Sequence, residues 1–143
     1  MNFTHLHVHT EYSLLDGSNK IQEYVNRVKE LGMDSAAITD HGVMYGVIDF
    51  YRAARAAGIN PVLGCEVYVA PGSRFDREIG SGDDRYYHLV LLAENNQGYA
   101  NLMKIVSKSF VEGFYYKPRV DLQLLEKYHE GLIALSACPV SYT

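Results

Sequence analysis

Cysteine and long apolar runs are both scarce in this sequence. The 143 residues include only Cys65 and Cys138 as cysteines, too few for a disulfide framework, which favours a protein of the reducing cytoplasm. Every apolar run falls well short of the roughly 20 residues that a membrane helix needs. The opening segment MNFTHLHVHT also lacks the basic and then apolar pattern of a signal peptide. We therefore expect a cytoplasmic protein that does not enter a membrane.

Positive charge is also in short supply. Lysine and arginine total 13 against 17 acidic residues, which gives a formal net charge of −4. This balance argues against a strongly basic nucleic-acid-binding surface, although a charged substrate held by metal ions stays open. With 48% hydrophobic and 21% charged residues, the chain has the composition of a globular domain with a real core.

Histidine, in contrast, is concentrated in one short segment. The run HLHVHT places His5, His7 and His9 at alternate positions between apolar residues. Side chains alternate between the two faces of a strand, so a strand here would direct the three imidazoles to one side. Neutral imidazole is the commonest metal ligand in proteins. A surface hairpin with its polar residues facing outward is the alternative.

Strand-like and helix-like segments alternate along the chain, which predicts an α/β fold with a mainly parallel sheet or barrel. The segment from Ala70 to Asp84 is charged, Gly-rich and poor in apolar residues, and we expect a mobile loop there. Ser18 is a plausible N-cap for the first helix. The predicted strands are FTHLHVH, DSAAITD, INPVLGCEVYVA, RYYHLVLLAE and GLIALSA, and the predicted helices lie in SNKIQEYVNRVKELG, VMYGVIDFYRAARAAG, NNQGYANLMKIVSKSF and DLQLLEKYHE.

Residues that can bind metal ions lie at or near the predicted strands. In parallel α/β folds, functional sites assemble at the carboxyl ends of the strands. Imidazole, carboxylate and thiol groups on separate strands are therefore what a site for several metal ions would need. The candidate residues are His7, His9, Asp16, Asp40, His41, Glu66, His88 and Cys138.

Each of these residues also has an ordinary structural interpretation. Asp40 and His41 in TDHG suit a helix N-cap and a capped turn, and Asp16 suits a turn. His88 and Cys138 suit a satisfied core histidine and an inert buried thiol. Glu66 is harder to explain structurally, because a buried carboxylate needs a partner or a metal ion. Their joint placement favours a metal site.

Five segments together resemble the PHP (polymerase and histidinol phosphatase) domain found at the N-terminus of bacterial DNA polymerase III alpha subunits. The resemblance runs from Phe3 to Cys138 and lies in HLHVHTEYSLLDG, AITDHGVMYG, GCEVYVA, GFYYKPRVD and GLIALSAC. The HxH and TDHG motifs alone indicate only the PHP superfamily. The combination of EYSLLDG with GFYYKPRVD is much more specific to the polymerase branch.

The resemblance implies a distorted TIM-like (β/α)7 PHP barrel with up to three divalent ions, Zn, Mn or Fe, at its C-terminal face. His5 would be a support residue beneath the ions, and Asp40 would also lie behind the ligands. The implied ligands are His7, His9, Asp16, His41, Glu66, His88 and Cys138.

The family pattern has two further ligands beyond the last residue of this chain. Residues 1–143 would then be the N-terminal part of a PHP domain, without the polymerase domains, and the barrel would be incomplete. An incomplete barrel has an open sheet edge, so self-association is expected. For this stretch alone the resemblance implies little or no catalysis.

The implied function of the intact parent is DNA replication by a DNA-directed DNA polymerase, with metal-dependent 3′–5′ exonuclease proofreading in the PHP domain. Its partners would be DNA and the other subunits of the replicative holoenzyme. One alternative is a non-catalytic scaffold that stabilises the polymerase or docks a proofreading subunit. Another is a small-molecule phosphoesterase of the histidinol phosphatase type, which GFYYKPRVD disfavours.

Overall fold

The computed structural model describes residues 3–78 and 86–137. Helices and strands alternate in them, which confirms the predicted α/β class. A short 3₁₀ helix, Glu11–Ser13, precedes the first α-helix. The α-helices are α1 (Ile21–Glu30), α2 (Val47–Ala57), α3 (Asn96–Val111) and α4 (Leu122–Tyr128). The strands are β1 (Ser35–Ile38), β2 (Asn60–Val69), β3 (Tyr87–Ala93), β4 (Arg119–Val120) and β5 (Leu132–Ser136). None of the described helices is long and apolar enough to span a bilayer.

Strand β2 organises the sheet, whose order is β1-β2-β3-β5. Three segments pair in succession along one edge of β2. Strand β1 pairs with it in parallel from Asn60 onward, His41 forms a bridge with Glu66, and β4 pairs in parallel with Tyr68 and Val69. The other edge carries β3. Residues far apart in sequence are thus gathered along one strand.

Part of the sheet is antiparallel, in contrast to the mainly parallel pattern that alternating helices and strands suggested. Both the β2–β3 and the β3–β5 ladders are antiparallel. The described part of the connection between β2 and β3, residues 70–78 and 86, contains no helix. Parallel neighbours usually need a helical crossover, so β3 returns beside β2 in the opposite direction.

The segment FTHLHVH does not form the predicted strand. Side chains take the place of a backbone ladder there. The Val8 N–H donates to Thr39 Oγ1 at 2.8 Å, and the Thr10 N–H donates to Asp40 Oδ1 at 2.6 Å. A backbone bond from Thr39 N–H to the Val8 carbonyl, 2.9 Å, ties the segment to the end of β1. His7 and His9 are therefore positioned by the residues that follow β1.

Helix α1 begins at Ile21 rather than behind Ser18. Its N-cap residue is Lys20, which makes no side-chain capping bond, so the predicted Ser18 cap is wrong. The residues before the helix contact the histidine segment instead, since Thr10 and Asn19 form a β-bridge. The Asn19 side chain also donates to the His9 carbonyl at 2.8 Å. These contacts hold the chain entering α1 against the histidine segment.

Two apolar clusters lie beside β1 and β2. Helices α1 and α2 pack against β1 around Val25, Ile38 and Phe50, all with no exposed surface. Helix α3 packs on β2 and β3, helix α4 packs against α3, and Cys65 and Val67 join this second cluster. Burying a large apolar side chain contributes about 1.5–3 kcal/mol. Because strand side chains alternate, Glu66 and Tyr68 face away from this second cluster.

The described part of the predicted mobile loop, residues 70–78, is anchored by Arg74. Its guanidinium lies 3.0 Å from Asp121 Oδ1 and 2.8 Å from Glu112 Oε2. Buried Arg119 donates from Nη2 to the carbonyls of Arg74 and Asp76. Mobility stays a prediction for residues 79–84, which lie outside the described residues.

Candidate metal centre

Glu66 stands at the centre of a cluster of imidazoles. This residue is 2% exposed and lies in the middle of β2. Oxygen Oε1 lies 2.6 Å from His88 Nδ1. Oxygen Oε2 lies 2.5 Å from His7 Nε2, 3.0 Å from His9 Nε2 and 3.7 Å from His41 Nδ1. One buried carboxylate is thus shared by four histidines from three separate parts of the chain.

The sheet register brings His88 and His41 to this carboxylate. In the β2–β3 ladder Glu66 is opposite Val90 and Tyr68 is opposite His88, so Glu66 and His88 are diagonal neighbours on one face. On the other edge, the Glu66 N–H donates to the Asp40 carbonyl at 3.0 Å and its carbonyl accepts the Gly42 N–H at 2.8 Å. These two bonds fix the TDHG turn beside β2.

Gly42 allows this turn to lie flat against the sheet. Its φ of +65° is unfavourable for a residue with a side chain. A Cβ at this position would also lie 2.9 Å from the Tyr68 ring and 3.0 Å from Pro118. The glycine of TDHG is therefore required by both backbone conformation and space.

The cluster divides into two groups that could each hold a metal ion. One consists of His7, His9 and Glu66, and the other of His41, Glu66 and His88. Within each group the candidate ligand atoms lie within 4.8 Å of one another. Because Glu66 belongs to both, its two oxygens suit a carboxylate that bridges two ions.

His41 carries the atom that most clearly needs a cation. Its Nε2–H donates to Asp16 Oδ2 at 2.6 Å, so its Nδ1 holds a lone pair. This Nδ1 is buried and has no hydrogen-bond partner among the described residues. Burial, helped by the charge of His9, lowers the pKa of His41 despite Glu66, so the ring stays neutral. A metal ion bound by both Nδ1 and Glu66 would satisfy this lone pair, and imidazole nitrogen with carboxylate oxygen is a suitable donor set for such an ion.

Ser13 sets the orientation and protonation of His9. The Ser13 hydroxyl donates its single proton to Asp40 Oδ1 at 2.7 Å, and its oxygen lies 3.3 Å from His9 Nδ1. That oxygen can therefore only accept, so Nδ1 of His9 carries a proton whether the ring is charged or neutral, and Nε2 faces Glu66. Burial alone would lower the pKa of His9, but Glu66, Asp16 and Asp40 outweigh it and raise the pKa.

Glu66 stays ionised in this setting. Burial would raise its pKa, but hydrogen bonds from His88, His9 and His7 outweigh that cost and hold the pKa well below its usual range. Without a metal ion, the negative charge is balanced by imidazole protons. With one, the same carboxylate is free to act as a ligand, because metal binding displaces protons from its ligands.

The structure brings together five of the seven predicted ligands. They are His7, His9, His41, Glu66 and His88. Asp16, whose side chain is 67% exposed, contacts the outer nitrogen of His41 and lies outside both groups. Cys138 lies outside the described residues. Whether each of the seven binds a metal ion stays a prediction.

The two predicted support residues differ in their placement. His5 is exposed and its ring packs edge-on against Phe3, 4.7 Å between centroids, so the structure does not bring it to the Glu66 cluster. Asp40 is 1% exposed and accepts hydrogen bonds from Thr10 and Ser13. It does not cap a helix, since α2 begins at Val47 behind Gly46. The N-cap interpretation of Asp40 is therefore wrong.

Sequence reasoning missed the hydroxyl residues of the site. Thr10 and Ser13 follow the HLHVH run directly, and both are buried against Asp40. Serine and threonine are common in turns, so their type alone marks nothing. Their position directly after a candidate ligand pair was the available signal.

Comparisons with known proteins identify what this chain is similar to. The PHP domain family matches residues 5–142. DNA polymerase III subunit alpha of Treponema pallidum is 54% identical over 138 residues, and that of Aquifex aeolicus is 49% identical over 142 residues. Each match covers 96% of this chain but 12% of the relative, so the chain spans about an eighth of the length of these relatives.

A solved structure resembles this one in fold. It is that of a candidate metal-dependent phosphoesterase from Bifidobacterium adolescentis, with a TM-score of 0.54 and 19% sequence identity. The likeness covers 77% of this chain and 34% of the other. At this identity the likeness concerns the fold, and it agrees with the predicted partial barrel.

Proposed function

The chain belongs to the PHP domain family, and we propose that it is the metal-binding PHP part of a DNA polymerase III alpha subunit. In that setting the Glu66 cluster would support metal-dependent hydrolysis of a phosphodiester at the 3′ end of DNA. Nucleotide polymerisation would belong to the other parts of such a protein. DNA and the other subunits of the replicative polymerase would be its partners.

The Nδ1 of His41, which has no hydrogen-bond partner within the described part of the chain, carries this proposal. A neutral, buried nitrogen that faces an ionised carboxylate at 3.7 Å is unfavourable in a protein without a cation. The same carboxylate has three further imidazoles around it. One protonated imidazole would be enough to balance its single negative charge, so the others are available as metal ligands. The arrangement supports metal binding over a purely structural role for these histidines.

Each residue of the cluster has a task in the proposed reaction. Glu66 would be a ligand in both groups, His7 and His9 would complete one of them, and His41 and His88 would complete the other. Asp16 keeps the proton of His41 on Nε2, and Ser13 keeps the proton of His9 on Nδ1, so the facing nitrogens stay available. Divalent ions bound there would lower the pKa of a water molecule and neutralise charge on a phosphodiester.

The donor set also limits the kind of ion. Imidazole nitrogen with carboxylate oxygen suits Zn²⁺, Mn²⁺ or Fe²⁺ better than Mg²⁺, which prefers oxygen ligands and water. Up to three ions would fit the family pattern, and the two groups described here account for part of that number.

The test is elemental analysis of protein purified without added metal or chelator. Wild type is compared with His9→Ala and with His129→Ala, a histidine exposed at the end of α4. We expect metal in wild type and His129→Ala and a clear loss in His9→Ala. If all three proteins are empty and take up no Zn²⁺ or Mn²⁺ on titration, the metal proposal is wrong and a scaffold role moves ahead.

A further inference from the structure

A cleft of about 410 Å³ opens beside the second group of ligands. His41 and His88 line it, so whatever binds in the cleft reaches the candidate metal centre directly. The remaining walls are unusually aromatic for a surface cleft. The aromatic residues are Tyr12, Tyr45, Tyr68, Tyr86 and Phe110, and the rest of the lining is Ser13, Leu14, Asp16, Val43 and Lys117. The Asp16 carboxylate is paired with His41 Nε2.

Several of these rings are left open to solvent. Tyr45 is 65% exposed and Phe110 is 37% exposed. Tyr86 packs against Tyr68 with 4.8 Å between ring centroids, so the two form one continuous wall. Exposed aromatic surface gathered at one site usually marks a binding surface. Flat π-faces of this kind stack well with nucleobases, whatever their sequence.

Lys117 supplies positive charge at the same place. Its Nζ lies 5.5 Å from the centroid of the Tyr68 ring. Among the described residues that line the cleft, it is the one lysine or arginine. A single ammonium beside aromatic walls suits one phosphate between stacked bases.

We propose that this cleft binds the terminal bases of a single-stranded nucleic acid, with Tyr45 and Phe110 as stacking residues and Lys117 on a backbone phosphate. The inference rests on the proposed function, because it gives the phosphodiester beside His41 and His88 its substrate class. Bases stacked in the cleft would hold the chain end in place while the diester lies at the ligands.

This mode of recognition agrees with the charge of the chain. A net charge of −4 does not favour binding through a broad basic surface. Stacking on aromatic rings needs little positive charge, and one lysine contributes about one phosphate contact. In a plot of log affinity against log salt concentration, the affinity should then fall with a slope of only about 0.7.

The test measures binding of a fluorescein-labelled oligothymidylate of about ten nucleotides, within the site sizes of single-strand-binding folds. A matched oligonucleotide with abasic residues has the same phosphates but no bases. Both are titrated with the 143-residue chain in the presence of a chelator, so that metal ions contribute nothing. The variants are Tyr45→Ala, Phe110→Ala and Lys117→Ala, with Tyr51→Ala as the control, a 45% exposed tyrosine on α2 that does not line the cleft.

We expect Tyr45→Ala and Phe110→Ala each to weaken binding of oligothymidylate at least about fivefold, as for the loss of one stacked base. Tyr51→Ala should bind like wild type, and the abasic oligonucleotide should bind less tightly than oligothymidylate. Lys117→Ala should reduce the salt slope. A 4-thiothymidine at the 3′ end should crosslink to Tyr45 or Phe110 in wild type, which checks the location without relying on a variant.

Two results would overturn the inference. One is equal binding of the thymidine and abasic oligonucleotides, and the other is equal loss in Tyr45→Ala and Tyr51→Ala. Metal content measured on the same preparations, before the chelator is added, distinguishes failure of this inference from failure of the proposed function. Wild type that contains metal as purified but does not bind the oligonucleotide rejects the cleft alone. Wild type that is empty and takes up no Zn²⁺ or Mn²⁺ on titration rejects the metal centre, and the comparison of the two oligonucleotides then decides the stacking separately.

Discussion

Glu66 and His88 lie diagonally across the antiparallel β2–β3 ladder, with 2.6 Å between Oε1 and Nδ1. Both residues are on strands, and strands hold side chains more rigidly than loops do. His7, in contrast, comes from a segment that is tied to β1 mainly through side chains. The two ligand groups therefore differ in rigidity, although they share one carboxylate.

The shared carboxylate leads to a prediction about stoichiometry. His7→Ala should reduce metal content by removing the His7–His9–Glu66 group, and His88→Ala should do so by removing the His41–Glu66–His88 group. Glu66→Gln should remove both, because an amide cannot replace a bridging carboxylate. Elemental analysis checks that His7→Ala and His88→Ala each lose part of the metal and that Glu66→Gln loses the most.

Glu94→Gln is the matched control, since Glu94 is exposed just beyond β3. It should keep the metal content of wild type. Retention of full metal content in Glu66→Gln would contradict the bridging role.

Gly42 should tolerate no side chain. Gly42→Ala imposes a positive φ on an L-residue and also pushes Cβ against Tyr68 and Pro118. We expect a loss in the free energy of unfolding of about 2 kcal/mol or more, combining the cost of the left-handed backbone with that of the contact. Urea unfolding measures the change.

Gly32→Ala separates the two costs. Gly32 has a φ of +70°, but a Cβ there would meet no atom of the described residues within 4 Å. Its substitution should cost only about 1 kcal/mol. Metal content should fall in Gly42→Ala and stay unchanged in Gly32→Ala; equal effects in the two variants would mean that the contact with Tyr68 is unimportant.

The ion pair between Arg74 and Asp121 should be a main support of the loop after β2. Both residues are buried, at 9% and 3% exposure, and Asp121 also accepts the Leu124 N–H at the start of α4. Asp121→Asn removes one of the two carboxylates that pair with Arg74 and leaves Glu112, which should cost about 1.5–3 kcal/mol, as for the loss of a hydrogen bond to a charged group. Glu30→Gln, which breaks the exposed pair with Arg27, should cause no measurable change.

The contribution of Asp121 should also depend on pH. Burial would raise its pKa, but hydrogen bonds from the backbone of Arg74 and Leu124 and from the Arg74 guanidinium outweigh it and lower the pKa below its ordinary value of 3.8. The stabilisation is then complete above that value and is lost as the pH falls through the folded-state pKa. The difference in unfolding free energy between wild type and Asp121→Asn should be constant from about pH 5 to 7 and shrink below about pH 4. A difference that grows on acidification would contradict the lowered pKa.

Much of the site could be predicted from the sequence, because side-chain type and strand position carry most of the information. His7, His9, His41, Glu66 and His88 were expected to converge, and the structure brings them together. They meet although His7 and His9 lie on no strand and Glu66 lies in the middle of β2, because the TDHG turn and β3 flank β2 and the histidine segment is tied to the residues after β1.

The features that could not be predicted depend on partners distant in sequence. Alternating apolar residues in FTHLHVH indicate an extended chain, but they do not show that Thr39 and Asp40 side chains replace a strand partner. The antiparallel return of β3 likewise has no local signature. The role of Asp40 follows from two hydroxyl residues that lie about 30 positions earlier.

Ser13 should affect metal binding without being a ligand. Its hydroxyl connects Asp40 to His9, and this contact keeps the His9 proton on Nδ1. In Ser13→Ala the ring can rotate or change tautomer, so affinity for Zn²⁺ should fall about 10- to 100-fold, as for other residues that orient metal-bound histidines. Ser109→Ala removes a hydroxyl that is also buried but donates to the Val106 carbonyl within α3, and it should leave the affinity unchanged. Competition with a chromogenic chelator measures both affinities. Circular dichroism confirms that each variant is folded, and a Ser13→Ala protein that is folded and binds Zn²⁺ like wild type would show that His9 does not need this hydroxyl.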